Sequence, residues 1–364
     1  MNIESALKKD GITVIAPLDS ESVNEIAKSV SESLLLAFPN FGFTFDALYK
    51  RFSSIKMYMA DIPHGLSEAS YFYKNNSIYF RDGMGLADLK KFAVHECIHN
   101  LQEVTDEKGN LSRLGLCTFK GSKVFGMALN EAAVQLASSN ILGSTFENVT
   151  YYGINFSTIS PNCYPLLCNL ISQMAYATGE EVLFDSVLNS SDYFRNKFVA
   201  LCGENVYNQI ANSFDKILEL EEKIIILQNK LQSIDLSSSR ADSISNKIKE
   251  LKANIKSTYF STQELFITTY FSTIFKSLIT SSDLDRFRKK LYNFQELTGN
   301  TDNYYFFNNF YIEMMEKLDK RFDMLAELDS HSTYLIPRKE STFSKIIKYI
   351  KKLLLKREFE IDKK

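Results

Sequence analysis

KFAVHECIHNLQE, residues 91–103, is the stretch on which the expected fold and chemistry of this chain depend. Within it, His95, Glu96 and His99 form the pattern H-E-x-x-H. Residues at positions i and i+4 lie on the same face of an α-helix, about one turn apart. Both imidazoles can therefore reach one tetrahedral Zn²⁺ at about 2.0–2.1 Å. Glu96 can meet a water molecule at the remaining coordination position and act as its general base.

The sequence around the motif is typical of a helix. Gly83 and Gly85 interrupt the chain before it, and Asp88 follows at a position suited to the first helical turn. Apolar residues then recur at helical spacing, which predicts a buried stripe on the same helix. These residues are Leu89, Phe92, Ala93, Cys97 and Leu101. The alternative to a metal site is a structural histidine pair with hydrogen-bonded protein partners.

A catalytic zinc site needs a third protein ligand, and the best candidate lies in GMALNEAAVQLASSNILG, residues 126–143. This stretch predicts a second helix that ends at Gly143. Glu131 stands in it among small and apolar residues, where a carboxylate is costly to bury without a cation. The neighbouring alanines would let the second helix approach the first one closely. The alternative is an exposed glutamate on a helix surface.

The sequence HECIH, followed downstream by NEAAVQ, resembles the gluzincins, the thermolysin-like group of zinc metallopeptidases. In that family, H-E-x-x-H is followed by a helix that carries N-E-x-x-S-D. The resemblance implies that His95, His99 and Glu131 are the three zinc ligands. It also implies that Glu96 is the general base and that Asn130 helps to orient a ligand histidine.

The resemblance covers residues 55–143 and includes SYFYKNNSIYFRDGMG, residues 70–85, which resembles the edge strand that holds the substrate backbone in that family. Three features depart from the family pattern, and one of them is the long linker from His99 to Glu131. Gln135 stands where the family has an aspartate, which weakens the carboxylate–histidine pairing expected behind a zinc ligand. The downstream histidine that stabilises the oxyanion in thermolysin has no clear counterpart.

A later tyrosine can take the role of that histidine, because related metallopeptidases use a tyrosine or histidine to bind the oxyanion. Tyr164 is the first candidate and Tyr152 the second, and both, with Tyr151, are predicted at loop-like positions. His331, in a predicted loop, is a remote candidate. For either tyrosine, the alternative is a core residue with a hydrogen-bonded hydroxyl.

Two further polar residues bear on the site. Arg113 lies in a stretch, 111–119, that predicts a strand or an ordered loop, and it is a candidate contact for a substrate carboxylate. An ordinary surface arginine is the alternative. His64, in the sequence PHG, is expected in a turn rather than at a metal.

Composition excludes several classes of function. A hydrophobic content of 45%, with 28 Phe and 19 Tyr, is ample for a buried core. A net charge of −2 provides no global field for nucleic acid, so no nucleic-acid partner is predicted. The 14 glycines are scattered and form neither a Rossmann nor a P-loop pattern.

The cysteines and the N-terminal sequence favour a reducing, cytoplasmic location. Five cysteines, an odd number with no CxxC pair, predict buried free thiols. The first residues, MNIESALKKDGITVIAP, do not have the form of a secretory signal. No apolar run reaches the length of about 18 residues that predicts a membrane-spanning helix.

The order of predicted elements indicates an α+β fold: a zincin-like N-terminal lobe with a small mixed sheet and an active-site helix, followed by a mainly helical C-terminal half. Strands are predicted at 11–17 and 55–62, and a hairpin at 71–80. Helices are predicted at 20–37 and 43–52. The predicted segments are the lobe with both metal helices at 1–143, a helical continuation at 144–211, a helical hairpin at 212–258 and a helical region at 259–364.

The C-terminal half is predicted to consist of several helices that differ in their sequence patterns. Residues 165–184 predict one packed helix, and residues 212–258 predict an antiparallel hairpin of coiled-coil type. Residues 259–335 are aromatic-rich and helical in pattern, with breaks near 281–282 and 299–300. The tail, 341–364, is a basic amphipathic helix that predicts peripheral membrane contact, with docking on the protein's own body as the alternative.

Together these features predict a zinc metallopeptidase that hydrolyses peptide bonds in proteins or peptides. The alternative is a non-catalytic, zinc-containing interaction protein that works through its helical hairpin. The sequence leaves open the substrate, the choice between endo- and exopeptidase action and the oligomeric state.

Overall fold

The computed structural model of the chain describes residues 7, 11–63, 68–121, 123–235, 238–298 and 306–334. Up to Thr158, α-helices alternate with short β-strands, and the described elements after it are all helices. This arrangement confirms the α+β class. The chain divides into two compact units, Met1–Gln263 and Glu264–Lys364, with the boundary inside one continuous helix. The finer division into four segments stays a prediction.

The first unit begins with a four-stranded mixed sheet. Its strands are β1 (Thr13–Pro17), β2 (Lys56–Asp61), β3 (Ala69–Phe72) and β4 (Ser77–Arg81). Their order is β1-β2-β4-β3; the β2–β4 pair is parallel and the other two pairs are antiparallel. Helices α1 (Ser20–Ala37) and α2 (Phe45–Ser53) come between β1 and β2. These elements follow the order predicted from the sequence.

Strand β3 lies at the edge of this sheet and joins β4 through a tight polar turn. A single 3₁₀ turn, Tyr73–Asn75, is followed by Asn76 in the left-handed conformation, with φ of 49°. Asparagine tolerates this conformation better than most residues. The predicted hairpin with a Lys-Asn-Asn turn is therefore confirmed.

The two helices that carry the predicted metal ligands are α3 (Leu86–Leu101) and α4 (Met127–Ile141). Four short antiparallel strands join them: β5 (Glu103–Thr105), β6 (Leu111–Leu114), β7 (Cys117–Lys120) and β8 (Lys123–Phe125). The stretch at 111–119 thus forms a hairpin that reverses at Gly115. Leu89, Ala93 and Cys97 are buried, which confirms the apolar stripe of α3.

A further hairpin, which follows α4 in the chain, was not predicted from the sequence. Strands β9 (Glu147–Tyr151) and β10 (Ile154–Thr158) pair antiparallel around Tyr152 and Gly153, whose φ angles are 52° and 72°. Positive φ at both central residues is typical of a tight hairpin turn. The loop predicted for Tyr151 is therefore wrong, because this residue lies in a strand.

The rest of the first unit is helical. Its helices are α5 (Pro165–Thr178), α6 (Glu180–Leu188), α7 (Tyr193–Cys202), α8 (Glu204–Gln232) and α9 (Ser239–Lys276), the last of which continues into the second unit. The single helix predicted at 165–184 is wrong, because Gly179, at φ of 101°, separates α5 from α6. Both helices of the predicted hairpin exist, but each extends beyond the 212–258 segment.

The second unit contains the end of α9, α10 (Ser281–Thr298) and α11 (Phe306–Tyr334). Aromatic rings fill its core: the ring centroid of Phe271 lies 5.2 Å from that of Phe294 and 5.8 Å from that of Phe287. His331 lies within α11, so the loop predicted for it is wrong.

The remaining predictions concern His64, the basic tail, membrane-spanning helices and the cysteines. His64 and the basic tail at 341–364 lie outside the described residues. Within the described part of the chain, no helix is both long enough and apolar enough to cross a bilayer. All five cysteines are free thiols, and only Cys163 is not fully buried.

Candidate metal centre

Three electron-pair donors from α3 and α4 converge at one point. His95 Nε2 lies 3.1 Å from His99 Nε2. Glu131 Oε2 lies 3.3 Å from His95 Nε2, and Glu131 Oε1 lies 3.5 Å from His99 Nε2. Small buried residues on α4 leave room for the two helices to approach: Ala128, Ala132 and Ala133. The structure therefore brings together the three residues that the sequence singled out.

The spacing of these donors suits a small metal ion. In a tetrahedral site with bonds of about 2.0–2.1 Å, neighbouring donor atoms are about 3.3–3.4 Å apart. The observed separations of 3.1, 3.3 and 3.5 Å are close to the edges of one face of such a tetrahedron. His95, His99 and Glu131 could therefore hold a metal ion.

A chain of hydrogen bonds fixes which nitrogen of His99 carries its proton. The backbone N–H of Leu116 donates to Asn130 Oδ1 at 2.9 Å, which sets the orientation of the Asn130 amide. Asn130 Nδ2 then donates to Gln102 Oε1 at 3.0 Å, which sets the Gln102 amide. Gln102 Oε1 faces His99 Nδ1 at 3.2 Å. Because that oxygen can only accept, His99 is protonated at Nδ1 and its Nε2 faces the site.

Asn130 thus orients a ligand histidine, as the resemblance implies, but it acts through Gln102. Gln102 follows the motif by three residues and is fully buried. Its amide also donates from Nε2 to Asn130 Oδ1 at 3.2 Å, so the two amides pair with each other. Gln102 was not predicted from the sequence, although a polar residue at i+3 from a ligand on a buried helix face was a usable signal.

A second amide orients His95. Gln135 Oε1 lies 3.0 Å from His95 Nδ1. The Gln135 Nε2 group faces the hydroxyls of Ser160 at 3.0 Å and Ser139 at 3.3 Å. Because Ser160 donates its own proton to the carbonyl of Cys163 at 2.6 Å, its oxygen accepts from Gln135. The glutamine therefore fixes the orientation of the His95 ring and leaves Nε2 facing the site.

A positive charge between the three donor atoms would relieve the repulsion among them. If both histidines carried a proton at Nδ1 alone, two lone pairs and a carboxylate would face one another, which is repulsive unless a proton or a metal ion lies between them. Burial alone would lower the pKa of His99, but the Glu131 carboxylate outweighs it and raises that pKa to about 9. Burial alone would raise the pKa of Glu131, but His99 and His95 hold it well below its usual range.

Glu96 lies beside this cluster and is almost fully buried, with 8% of its surface exposed. Its Oε2 accepts a hydrogen bond of 2.7 Å from the backbone N–H of Tyr71 on the edge strand β3. The negative charge of Glu96 also contributes to the raised pKa of His99, which places it near the ligands. The contact with Tyr71 was not predicted from the sequence.

Tyr164 immediately precedes α5 as its N-cap residue and adopts the left-handed conformation, with φ of 49°. Burial raises the pKa of its hydroxyl well above the ordinary value, and the carboxylates of Glu131 and Glu96 raise that pKa further. The hydroxyl therefore stays protonated at neutral pH and lies within electrostatic range of the metal-ligand cluster.

Arg113 is not an ordinary surface arginine, and its contact with a substrate carboxylate stays a prediction. Its Nη1 pairs with Asp192 Oδ1 at 2.8 Å, and its other nitrogens donate to the carbonyls of Gly115 at 2.7 Å and Ser191 at 2.6 Å. The side chain is only 15% exposed, and these partners occupy its guanidinium. It lines a cavity of about 480 Å³ to which His95, His99 and Glu131 do not contribute.

Comparisons of the chain with known protein families, with curated protein sequences and with solved structures returned no match. The residues of this site therefore carry the functional conclusion alone.

Proposed function

We propose that this protein is a zinc metallopeptidase of the gluzincin type that hydrolyses peptide bonds in peptides or proteins. The observation that carries the proposal is the convergence of His95, His99 and Glu131 at 3.1–3.5 Å, with the charge of Glu96 close enough to raise the pKa of His99. The two imidazoles and the carboxylate form a donor set typical of catalytic zinc.

Each residue then has a defined task. Zinc, when bound by His95, His99 and Glu131, supplies a Lewis acid that activates water and polarises a carbonyl group. Glu96 takes the proton of the attacking water and delivers it to the leaving amine. Tyr164 donates its hydroxyl proton in a hydrogen bond to the oxyanion that develops on the substrate.

The alternative is a non-catalytic interaction protein with a structural zinc site. Structural zinc is usually held by four protein ligands, whereas catalytic sites keep one position open. In the described part of the chain, no fourth histidine, cysteine or carboxylate joins the three donors. This donor count favours catalysis over a structural role.

Cleavage profiling of a complex peptide mixture tests the proposal. Wild-type protein should cut peptides, and Glu96→Gln, which keeps size and shape but removes the basic oxygen, should cut at least about 10²-fold more slowly at unchanged zinc content. Equal cutting by both proteins would show that Glu96 is not the base. Absence of cutting by zinc-loaded wild type would favour the interaction protein.

A further inference from the structure

Tyr71, on the edge strand β3, contacts the metal-ligand helix at two separate places. Its backbone N–H donates to Glu96 Oε2 at 2.7 Å. Its side-chain hydroxyl donates to Glu103 Oε1 at 2.5 Å and accepts from Asn100 Nδ2 at 3.0 Å. Glu96 and Asn100 are four residues apart and lie on one face of α3, and Glu103 begins strand β5 directly after that helix. One residue therefore connects the general base to the segment that follows the second histidine ligand.

The outward direction of the Tyr71 N–H follows from the topology of the sheet. In an antiparallel pair, alternate residues direct their N–H groups towards the partner strand. The carbonyl of Glu68 accepts from Arg81 N–H at 2.9 Å, so residues 68, 70 and 72 bond to β4 and Tyr71 faces outwards. On an edge strand this donor has no strand to pair with. Glu96 satisfies it.

The anchor of the Tyr71 hydroxyl is itself held in place. Asn100, 5% exposed, accepts from Arg51 Nε at 2.7 Å through Oδ1, and the Arg51 guanidinium also donates to the Asn100 carbonyl. Asn100 Nδ2 further donates to Asn76 Oδ1 at 3.0 Å, in the turn that follows β3. Burial and the nearby Glu103 raise the pKa of Tyr71, so its hydroxyl stays protonated and can donate.

We propose that Tyr71 is a positioning residue for the general base: Asn100 and Glu103 hold its hydroxyl, and its N–H holds one oxygen of Glu96. A carboxylate can rotate about its last side-chain bond, and a donor on one oxygen fixes the direction of the other. Oε1 of Glu96 is then directed at the attacking water. This inference rests on the proposed function, but the contact itself can be measured without any activity.

Hydrogen exchange at the Tyr71 amide tests the contact. In protein labelled with an NMR-active nitrogen isotope in its tyrosines, this amide should be protected in wild type. It should exchange at least about tenfold faster in Glu96→Ala and in Glu103→Ala. Glu103→Gln, which keeps an acceptor oxygen, should give a smaller change, and the amide of Tyr58 in the central strand β2 is the internal reference. Unchanged exchange at Tyr71 in both alanine variants would overturn the proposal whatever the activity of the protein.

Kinetics test whether the contact positions Glu96. Tyr71→Phe keeps the ring and the N–H but releases the hydroxyl anchor, so kcat should fall about tenfold with KM within about twofold and zinc content unchanged. Tyr73→Phe, the same change at an exposed tyrosine two residues on, should have no effect. In the Glu96→Gln background, Tyr71→Phe should lower the residual rate by less than about twofold.

Each outcome has a distinct meaning. An equal loss from Tyr71→Phe in both backgrounds would show that Tyr71 acts on general stability and not on Glu96, which overturns the proposal. If wild type cuts no peptide, the proposed function fails and the positioning role fails with it. The exchange experiment would then still decide whether the contact between Tyr71 and Glu96 exists.

Discussion

Gly115 packs against the pair of amides that orients His99. It adopts a left-handed conformation with φ of 56°, beside the paired amides of Gln102 and Asn130. A Cβ atom at this position would lie 2.3 Å from Asn130 Oδ1 and 2.3 Å from Gln102 Nε2. No side chain other than hydrogen fits there without displacing the amide pair. A glycine outside the motif therefore supports the arrangement of the candidate metal centre.

Replacement of this glycine gives a prediction at the residue scale. Gly115→Ala should lower the free energy of unfolding by about 2–4 kcal/mol, from the left-handed backbone and from overpacking. Zinc affinity should fall about 10–100-fold, because the displaced amides no longer orient His99. Calorimetry and zinc titration measure both effects.

Gly121 provides the matched control. It has φ of 64°, but no atom lies within 4 Å of the point where an alanine methyl group would stand, so Gly121→Ala carries only the backbone penalty. That variant should lose about 1–2 kcal/mol and keep its zinc affinity. Equal behaviour of the two alanine variants would contradict the role assigned to Gly115.

At the scale of elements, helix α8 contains an unusual buried carboxyl group. Its buried stripe includes Ile210, Phe214, Ile217 and Ile224, and Glu221 occupies a position of the same stripe with 6% exposure. The Oε1 atom of Glu221 has no hydrogen-bond partner among the described residues. Burial raises the pKa of Glu221 from 4.5 to about 8. The carboxyl group is therefore neutral at pH 7 in the folded protein.

This gives a pH-dependent prediction. Because the folded-state pKa is raised, the protonated group contributes stability that is fully present below pH 4.5 and is lost as pH rises towards 8. Glu221→Gln removes this dependence, so relative to wild type it should become more stable between these pH values, by on the order of a few kcal/mol. Thermal unfolding at several pH values measures it. Exposed Glu264→Gln is the control, and a difference between Glu221→Gln and wild type that does not vary with pH would refute the prediction.

Helices whose apolar residues recur at a regular spacing were predicted well. A turn and a helix break that depend on one or two residues were missed. Helices α1, α3 and α4 follow from their stripes and from flanking glycines or prolines. The β9–β10 hairpin was missed because its turn is formed by Tyr152 and Gly153, and tyrosine gives no signal for positive φ. The break at Gly179 was missed because the apolar pattern continues through it.

The candidate site likewise contains residues that the sequence predicts and residues that it does not. The candidate ligands and Glu96 are visible in the sequence because metal chemistry requires particular residue types at a particular spacing. Gln102 had only its position three residues after His99 as a signal. Ser160 and Tyr71 could not be found in this way, because they reach the site through contacts between distant segments and their residue types also suit many other roles.

At the scale of the whole molecule, the chain places its metal-ligand candidates in the first of two compact units and fills the second with aromatic helices. Zinc bound to the folded chain but not to the unfolded chain stabilises the protein by mass action. The first unit should therefore unfold at a higher temperature when zinc is present.

Zinc content of the purified full chain, with its unfolding temperature, is the measurement that tests the central claim most directly. We expect about one zinc per chain, because two imidazoles and one carboxylate form a single site. Removal of the metal should lower the unfolding temperature, and readdition should restore it. His95→Ala combined with His99→Ala should abolish both the stoichiometric binding and the thermal shift. Full zinc occupancy in that double variant would contradict the assignment of the metal centre.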